Sequence, residues 1–572
     1  MKILLIYPYC LEDRIHAENV ESMPIGIYYV ASFLKEKGYD VEILNWQKLG
    51  RSPEEIRAVL VEREYDIIGF SILQANRWGG IEIARVAKQL SPDVKIVFGG
   101  ITPTFLWKHF LTHFAEIDYV VCGEGEVTFL KLIECLEKEE FEKISTIHGI
   151  AYRKGKTPVR NPDAELVRDL DELPNPAKYY TFEHLALTRG CPGNCTFCGS
   201  PKYWGQRVRF HSASYFVDQL EFQYKRGISF FLISDDTFTF KKEKVIEICR
   251  QILERGLNII WFAISRVNFI TEEVVYWMRK AGCIQISFGV ESGSAKIRNV
   301  LNKKTSNEQI IHAFRTTLSY GIMPRAYIIF GSPGETRETI QESIDLINEI
   351  KPLVVVFHVL VVFPGTALYL DFKKKFNVSD DMWLDPIEDF MYFETDKRLS
   401  LEDIKTYKNM LHAGFFKNLS SFVDAIDLVD KPELYPMHAD FYSRLAISFD
   451  SGEYSEVEAL GDRRGIAEKL YRKALEYHPI SRAFLGLGMI RQKNRDFAKS
   501  IETLTEGIKH FPDDEQINLC QGINYMNLGQ FEKALSFLLK FQESKQVLNY
   551  IAACYRGLND RENEAVILKK LT

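Results

Sequence analysis

The sequence has no long hydrophobic run, no large excess of charge of either sign and no framework of paired cysteines. The longest apolar run, 353–363, contains His358 and is well short of the roughly 20 residues that span a bilayer. The formal net charge is −6, with 46% hydrophobic and 26% charged residues. This balance gives no reason to expect a nucleic-acid partner or an anionic membrane surface. We therefore expect a globular protein without a membrane span.

Two further absences bear on the compartment. Residues 1–8, MKILLIYP, lack the basic and apolar regions of a signal peptide, and we expect them to form a buried first strand. The chain has ten cysteines, and those outside one short loop are scattered, unlike a disulfide framework. A cytoplasmic location is the expectation. A chain of 572 residues is too long for one hydrophobic core, so three or four domains are expected.

One loop concentrates metal-binding residues: Cys191, Cys195 and Cys198 have the spacing C-x3-C-x2-C. A loop of this kind lets three thiolates converge on one metal centre. Structural zinc sites and electron-transfer iron–sulfur clusters normally take four protein ligands, so three cysteines would leave one iron of a [4Fe–4S] cluster open. The alternative is a zinc loop completed by a distant histidine, such as His184 or His211, in a non-catalytic scaffold.

With Phe197 just before its last cysteine, this loop resembles the signature of the radical S-adenosylmethionine (SAM) superfamily. The resemblance implies a [4Fe–4S] cluster whose open iron is chelated by the amino and carboxylate groups of SAM. It also implies reductive cleavage of SAM to a 5'-deoxyadenosyl radical, with electrons from a donor such as flavodoxin or ferredoxin.

The segment 181–390 alternates short apolar runs with helical patterns. Six strands are predicted, at 183–187, 230–234, 259–264, 285–290, 325–330 and 354–360. The pattern resembles the partial (β/α)6, TIM-type barrel of radical SAM enzymes, in an α/β fold. Chemistry in such barrels gathers at the carboxyl ends of the strands, and the cysteine loop follows the first predicted strand.

The same strand ends supply the candidate SAM-binding residues. Acidic groups suit the SAM ammonium, and an arginine can hold its carboxylate by a bidentate pair. Arg266 could instead make a surface salt bridge, and Glu335 could cap the following helix. The resemblance implies SAM contacts from Phe197, Ser234, Asp235, Asp236, Arg266, Glu291, Gly331, Pro333 and Phe363.

The segment 1–150 also alternates strands and helices. Apolar runs at 3–7, 41–44, 67–71, 95–98 and 119–122 predict a Rossmann-like parallel sheet covered on both faces. Ligands of such sheets bind beyond the carboxyl ends of the strands, where this segment places glycine-rich loops.

Three of these stretches, 22–31, 99–104 and 123–126, resemble the cobalamin (B12)-binding domain at the front of many radical SAM enzymes. There are two departures. The D-x-H-x-x-G pattern is absent, since Asp13 and His16 have the wrong spacing, and Thr102 replaces the usual histidine. The resemblance implies cobalamin contacts from Tyr7, Pro8, Pro24, Gly26, Ser71, Gly99, Gly100, Ile101, Thr102, Gly123, Glu124 and Gly125.

The remaining segments have weaker patterns. Residues 151–180 contain several prolines and are predicted to be a linker, and 391–460 a helical or irregular connector. In 461–572 a period of 34 residues relates Gly488 to Gly522 and Phe497 to Phe531. This region resembles tetratricopeptide repeats, which implies an all-α region. It could dock a protein or peptide, or it could be a dimer contact or a lid on the barrel.

The predicted reaction is cobalamin-dependent methyl transfer to an unactivated carbon. The alternative is a radical SAM cyclase, C–C bond-forming or rearrangement enzyme whose first domain holds no corrinoid or uses it otherwise. Methylthiotransferases need three more cluster cysteines in the first domain. Cys10, Cys122 and Cys135 are the only cysteines available there, and the gap of 112 residues between the first two argues against this role and against a tRNA substrate.

Overall fold

The computed structural model describes residues 1–11, 23–61, 64–387, 389–396 and 398–571. Asp13, His16 and Ser22 of the sequence motifs lie outside this part of the chain. The fold divides into two compact units, Met1–Thr317 with Pro324–Phe415, and Leu318–Met323 with Phe416–Thr572. Among the described residues, no helix combines the length and apolar character needed to cross a membrane.

The first unit begins with a seven-stranded sheet. Its strand order is β2-β1-β3-β4-β5-β6-β7, and β1 to β5 pair in parallel. The strands are β1 Lys2–Tyr7, β2 Asp40–Asn45, β3 Ile67–Ser71, β4 Lys95–Gly99, β5 Tyr119–Val121, β6 Ile150–Lys154 and β7 Thr157–Arg160.

Helices connect the parallel strands of this sheet. They are α1 Ile25–Glu36, α2 Pro53–Val61, α3 Arg77–Leu90, α4 Ile101–His113 and α5 Glu126–Glu137. Strands β1, β3 and β4 are almost wholly buried, as expected of a sheet covered on both faces.

The sheet extends into the segment that was expected to be a linker. Strands β6 and β7 form an antiparallel hairpin against β5. Pro158 is compatible with this position because β7 is an edge strand, where a missing N–H is tolerated.

The second sheet of this unit has the order β15-β14-β13-β12-β11-β8, and β9 and β10 form a separate antiparallel ribbon. Its strands follow chain order, as the partial (β/α)6 prediction requires, and curvature into a barrel stays a prediction. The strands are β8 His184–Leu185, β9 Thr188–Arg189, β10 Arg209–Phe210, β11 Phe230–Ile233, β12 Ile260–Ser265, β13 Cys283–Glu291, β14 Met323–Phe330 and β15 Val354–Val359.

Helices alternate with these strands, and side-chain caps define several of their starts. Thr271 accepts a hydrogen bond from Val274 N, and Thr336 and Thr339 form a reciprocal capping box. The helices are α6 Ser200–Tyr203, α7 Ala213–Lys225, α8 Lys242–Glu254, α9 Glu272–Lys280, α10 Ala295–Val300, α11 Asn307–Ser319, α12 Arg337–Ile350 and α13 Ala367–Phe376.

The C-terminal region is helical. Two glycines 34 residues apart make equivalent contacts. A Cβ on Gly488 would lie 2.5 Å from Leu504, and a Cβ on Gly522 would lie 2.7 Å from Leu538. Both glycines therefore permit close helix packing at equivalent positions. The helices are α14 Leu401–Asp424, α15 Tyr435–Asp450, α16 Arg463–Tyr477, α17 Ser481–Lys493, α18 Phe497–His510, α19 Glu515–Asn527, α20 Phe531–Leu538, α21 Lys545–Gly557 and α22 Arg561–Leu571.

Candidate active site

The three-cysteine loop lies between β9 and α6. Cys191 and Cys195 are buried, and Cys198 is half-buried. Gly190 has φ +111°, and a Cβ there would be 2.8 Å from the carbonyl oxygen of Arg207. Glycine is therefore needed at this position to start the loop beside β10.

Hydrogen-bond donors point at the loop's sulfur atoms. Arg266 Nη1 lies 3.7 Å from Cys195 Sγ, and the backbone N of Gly193 donates to Cys191 Sγ at 3.4 Å. Thr237 Oγ1 also lies 3.8 Å from Cys191 Sγ, but its hydroxyl donates to the carbonyl oxygen of Asp236 at 2.6 Å. Donors around cysteine sulfurs stabilise thiolates and orient them as metal ligands, so this loop fits an iron–sulfur cluster.

Arg266 does not make the surface salt bridge that was its alternative. Its side chain is 8% exposed, and its Nη2 donates to the carbonyl oxygen of Lys303 at 2.8 Å. The guanidinium is held against the cysteine loop, beside Cys195.

The geometry argues against a single zinc ion at this loop. Within the described ranges, the one group of three candidate ligands whose atoms lie within 4.8 Å of one another is formed by His109, His113 and Asp381. The three cysteine sulfurs are thus spread more widely than the separation of about 3.8 Å that follows from Zn–S bonds of about 2.3 Å. His184 Nδ1 contacts Ser234 Oγ, whereas His211 contacts Asp171 through Nδ1 and Tyr29 OH through Nε2, so both ring nitrogens of His211 are used within the protein.

The carboxylate of Asp235 is hydrogen-bonded to other groups of the protein. Its carboxylate accepts hydrogen bonds from Leu187 N at 3.0 Å, from Thr188 N at 2.6 Å and from the Thr188 hydroxyl. Burial raises the pKa of Asp235 to about 7, although these hydrogen bonds lower it. Because Asp235 takes these amides, the first core strand ends at Leu185, earlier than the sequence predicted.

We predict that Asp235→Asn loosens the approach to the cysteine loop. The amide NH2 would face backbone donors that now meet a carboxylate oxygen, which costs about 1–3 kcal/mol for each buried donor left unsatisfied. Thermal unfolding should shift to lower temperature, and the iron content after reconstitution should fall. Asp236→Asn is the matched control, because Asp236 accepts a hydrogen bond from Ser200 and none from the loop's approach. Equal losses in both variants would contradict this role.

Glu291 and Lys303 form a buried ion pair in the core. Lys303 Nζ donates to Glu291 Oε1 at 2.6 Å, and Glu291 has φ +65°. The lysine, which follows a short helix, has no sequence pattern that would have indicated it. Glu291 thus has a protein partner in addition to its predicted role in SAM binding.

The other predicted SAM contacts are placed as follows. Phe197 packs against the apolar core, Phe363 is 42% exposed, and Pro333 follows Gly331, whose φ is +77°. Glu335 does not cap helix α12: it accepts a hydrogen bond from Ser332 N at 2.8 Å, and Thr336 caps the helix. Burial raises the pKa of Glu335 to about 7.

A cleft lies at the carboxyl ends of the N-terminal strands. A Cβ on Gly100 would be 2.7 Å from the carbonyl oxygen of Ile72, and Gly100 has φ +104°, so only glycine fits there. Thr104 links two of the loops, since it donates to Gly100 O and accepts from Gly123 N. The predicted cobalamin contacts that line the cleft are Gly26, Ser71, Gly99, Gly100, Gly123, Glu124 and Gly125.

The remaining predicted contacts do not line this cleft. Tyr7 and Thr102 are buried, and the carbonyl oxygen of Pro8 accepts from Gln47 Nε2 at 2.5 Å. Pro24 precedes α1 as its N-cap residue. Ile101 lies toward the cysteine loop instead, with its Cδ1 3.0 Å from where a Cβ on Gly199 would stand.

One wall of the cleft comes from the core segment that carries the cysteines. Arg189, Tyr203 and Trp204 line it, and Tyr203 OH donates to Gly123 O at 2.8 Å. None of these three residues was among the predicted cofactor contacts, although Arg189 precedes Cys191 by two positions.

A buried charge network joins the loop that follows β5 of the first sheet to the β9–β10 ribbon at this wall. Arg189 pairs with Glu124 at 2.8 Å and with Glu126 at 2.5 Å, and Arg209 pairs with Glu124 at 2.9 Å. Burial alone would raise the pKa of Glu124, but hydrogen bonds and charge from the two arginines hold it below its ordinary value. Glu124 therefore stays ionised, and its carboxylate oxygens accept hydrogen bonds from protein donors.

Comparison with known proteins matches two parts of the chain to protein families. Residues 19–133 match the B12 binding domain family, and 185–347 match the radical SAM superfamily. An uncharacterized methyltransferase of Pyrococcus horikoshii is 31% identical over 381 residues, covering 64% of this chain and 82% of the relative. An anaerobic magnesium-protoporphyrin IX monomethyl ester cyclase of Rubrivivax gelatinosus is 28% identical over 403 residues, covering 66% and 71%.

A solved structure shows the same fold. The radical SAM methyltransferase TsrM of Kitasatospora setae, with cobalamin and a [4Fe–4S] cluster bound, has a TM-score of 0.59. It is 18% identical, and the alignment covers 83% of this chain and 99% of that one. The two matched families imply a [4Fe–4S] cluster, SAM and cobalamin as cofactors. The chain belongs to the radical SAM enzymes that carry an N-terminal B12-binding domain.

Proposed function

We propose that this enzyme transfers a methyl group from SAM to an unactivated carbon of its substrate, with cobalamin bound in the N-terminal cleft. The observation that carries the proposal is the shared wall: Arg189, Tyr203 and Trp204 line the cleft and flank the three-cysteine loop in sequence. When bound, cobalamin supplies a methyl carrier, and the cluster supplies the electron that cleaves SAM. The protein's part is to hold both sites in one compact unit.

Several residues are proposed to hold SAM next to the cluster. Arg266 stands beside Cys195, where its guanidinium can meet a carboxylate, and Glu291 is the buried acidic group of β13. Ser234, Asp236, Gly331, Pro333 and Phe363 follow strand ends of the same sheet and remain proposed contacts, as does Phe197 in the loop. Asp235 also remains a proposed contact of this segment, with its carboxylate oxygens hydrogen-bonded to Leu187 and Thr188.

A cyclase or another C–C bond-forming reaction is the second candidate, because the Rubrivivax relative has that activity in its name. Product mass separates the two. Holoenzyme would be supplied with SAM carrying a deuterated methyl group, a reductant and extracts of candidate substrates. A labelled product heavier by one methyl group supports methyl transfer, whereas an unlabelled product of unchanged or cyclised mass contradicts it and favours the alternative.

We predict that Gly26→Phe prevents corrinoid binding while the chain still folds. Gly26 lines the cleft within α1, and a Cβ there would meet no atom within 4 Å. A phenyl group would therefore project into open space that cobalamin needs. Corrinoid content, measured by absorbance beside iron after anaerobic purification, should fall from about one per chain to near zero. Gly26→Ala is the matched control and should retain corrinoid. Full corrinoid in Gly26→Phe would contradict the location.

The C-terminal helices are proposed to form tetratricopeptide-like repeats that dock a protein or peptide. The equivalent Gly488–Leu504 and Gly522–Leu538 packing at a period of 34 residues supports the repeat assignment. A small electron-transfer protein such as flavodoxin or ferredoxin is proposed as the reductant, and the cytoplasm as the compartment.

A further inference from the structure

Helix α4 carries two histidines one turn apart, and both face the segment that follows α13. His109 and His113 are four residues apart, so their side chains lie on one face of the helix. Their ring centroids are 5.1 Å apart. His113 Nε2 lies 2.9 Å from Asp381 Oδ1.

His109 is a buried imidazole without a protein partner. Its side chain is 4% exposed, and among the described residues neither ring nitrogen has a hydrogen-bond partner. Leaving buried polar groups unsatisfied costs about 1–3 kcal/mol. One ligand atom from each of His109, His113 and Asp381 lies within 4.8 Å of the other two, an arrangement in which the three groups could hold one ion.

The neighbouring charged side chains, Asp380 and Arg77, make hydrogen bonds to other groups of the protein. Asp380 Oδ1 accepts from Tyr369 OH at 2.6 Å and from Lys373 Nζ at 2.5 Å. The guanidinium of Arg77 donates to carbonyl oxygens of the same segment, including that of Asp385 at 3.4 Å. Asp381 is therefore the carboxylate directed toward the two imidazoles.

We propose that His109, His113 and Asp381 bind a divalent transition-metal ion of the Zn²⁺ class. Two imidazole nitrogens and one carboxylate oxygen are ligands that zinc accepts, with water in the fourth position. Zinc is favoured over Mg²⁺ or Ca²⁺, which prefer oxygen ligands.

Such an ion would fasten the turn at Asp380–Leu384 to helix α4. The same helix begins at Ile101, directly after Gly100 at the cobalamin cleft, so the metal would join the last part of the core to the wall of the cleft. Because the ion binds the folded chain, it raises the free energy of unfolding. The increase grows with the logarithm of the ratio of the ion concentration to the dissociation constant. The inference does not depend on the proposed methyl transfer.

The test uses full-length enzyme with its cluster reconstituted, so that the cysteines are occupied. The protein is equilibrated with Zn²⁺, passed over a desalting column and analysed for zinc, iron and cobalt by mass spectrometry. We expect about one retained zinc per chain in the wild type. Asp381→Asn and His113→Gln, at exposed positions, should weaken zinc binding at least about tenfold with iron unchanged.

The matched control is His312→Gln, an exposed histidine on α11, which should keep its zinc. Thermal unfolding provides a second readout: added Zn²⁺ should raise the midpoint of the wild type and the control but not that of Asp381→Asn. Without zinc, the Asp381→Asn midpoint shows whether the variant is folded. No retained zinc in the wild type, or equal retention in the variants, would reduce the group to a histidine–aspartate ion pair and overturn the proposal.

Discussion

Replacing any one of Cys191, Cys195 and Cys198 with alanine is expected to abolish cluster assembly and SAM cleavage. Three thiolates leave no spare ligand, so the loss of one removes a bond to the cluster, and both ring nitrogens of His211 are already hydrogen-bonded to Tyr29 and Asp171. Iron and sulfide should fall from about four per chain to near zero. Formation of 5'-deoxyadenosine should fall by more than about 100-fold.

The matched control is Cys135→Ala, in helix α5 of the first domain, which should keep both iron and SAM cleavage. The corrinoid content of each cysteine variant should be measured in the same samples. A variant that loses iron but keeps its corrinoid shows that the cleft stays folded. Cluster assembly at wild-type levels in any of the three variants would contradict the assignment of that cysteine as a ligand.

Arg189→Met is expected to produce the second large effect, on both folding and corrinoid binding. The methionine leaves Glu126 without its ion-pair partner and Glu124 with Arg209 alone, in a buried wall. Removing one partner of a buried charge network costs about 3–5 kcal/mol. The urea midpoint of the cluster-free protein should fall accordingly, and corrinoid should be lost because the wall of the cleft loses its support.

Arg85→Met is the control for loss of a charge pair as such. Arg85 pairs with Glu116 at 2.7 Å, but its side chain is 48% exposed, so a loss of no more than about 1 kcal/mol is expected. Arg189→Lys should keep the charge but lose the fork that contacts two carboxylates at once, and an intermediate result is expected. Equal effects of Arg189→Met and Arg85→Met would show that the network adds little.

Much of the fold could be predicted because its patterns are local. The five parallel strands of the first sheet and the six of the second were visible as apolar runs between helical segments. The hairpin of β6 and β7 was missed because Pro158 and the polar residues around it resemble a linker, and its pairing depends on the free edge of β5. A strand that forms mainly by pairing with a neighbouring strand has little sequence pattern of its own.

The site shows the same limit. Asp235 and Asp236 are adjacent and of the same type, yet the first serves the amides of Leu187 and Thr188 and the second accepts from Ser200. Their order in sequence could not separate these roles, because each depends on which backbone donors lie opposite the end of β11. Likewise, Tyr7 and Pro8 lie at the carboxyl end of β1, as cofactor-binding residues often do, but both are buried and neither lines the cleft.

The sequence by itself determined the cysteine loop, the glycines at the strand ends and hence the family's cofactors, because ligand type and spacing act over a few residues. Only the tertiary structure decided which side chains meet across the chain: Arg189 with Glu124, Arg266 with Cys195, and His113 with Asp381. These partners are 65, 71 and 268 residues apart. Such pairs form because strand ends and helix faces converge when apolar surfaces are buried, and that convergence is a property of the whole fold.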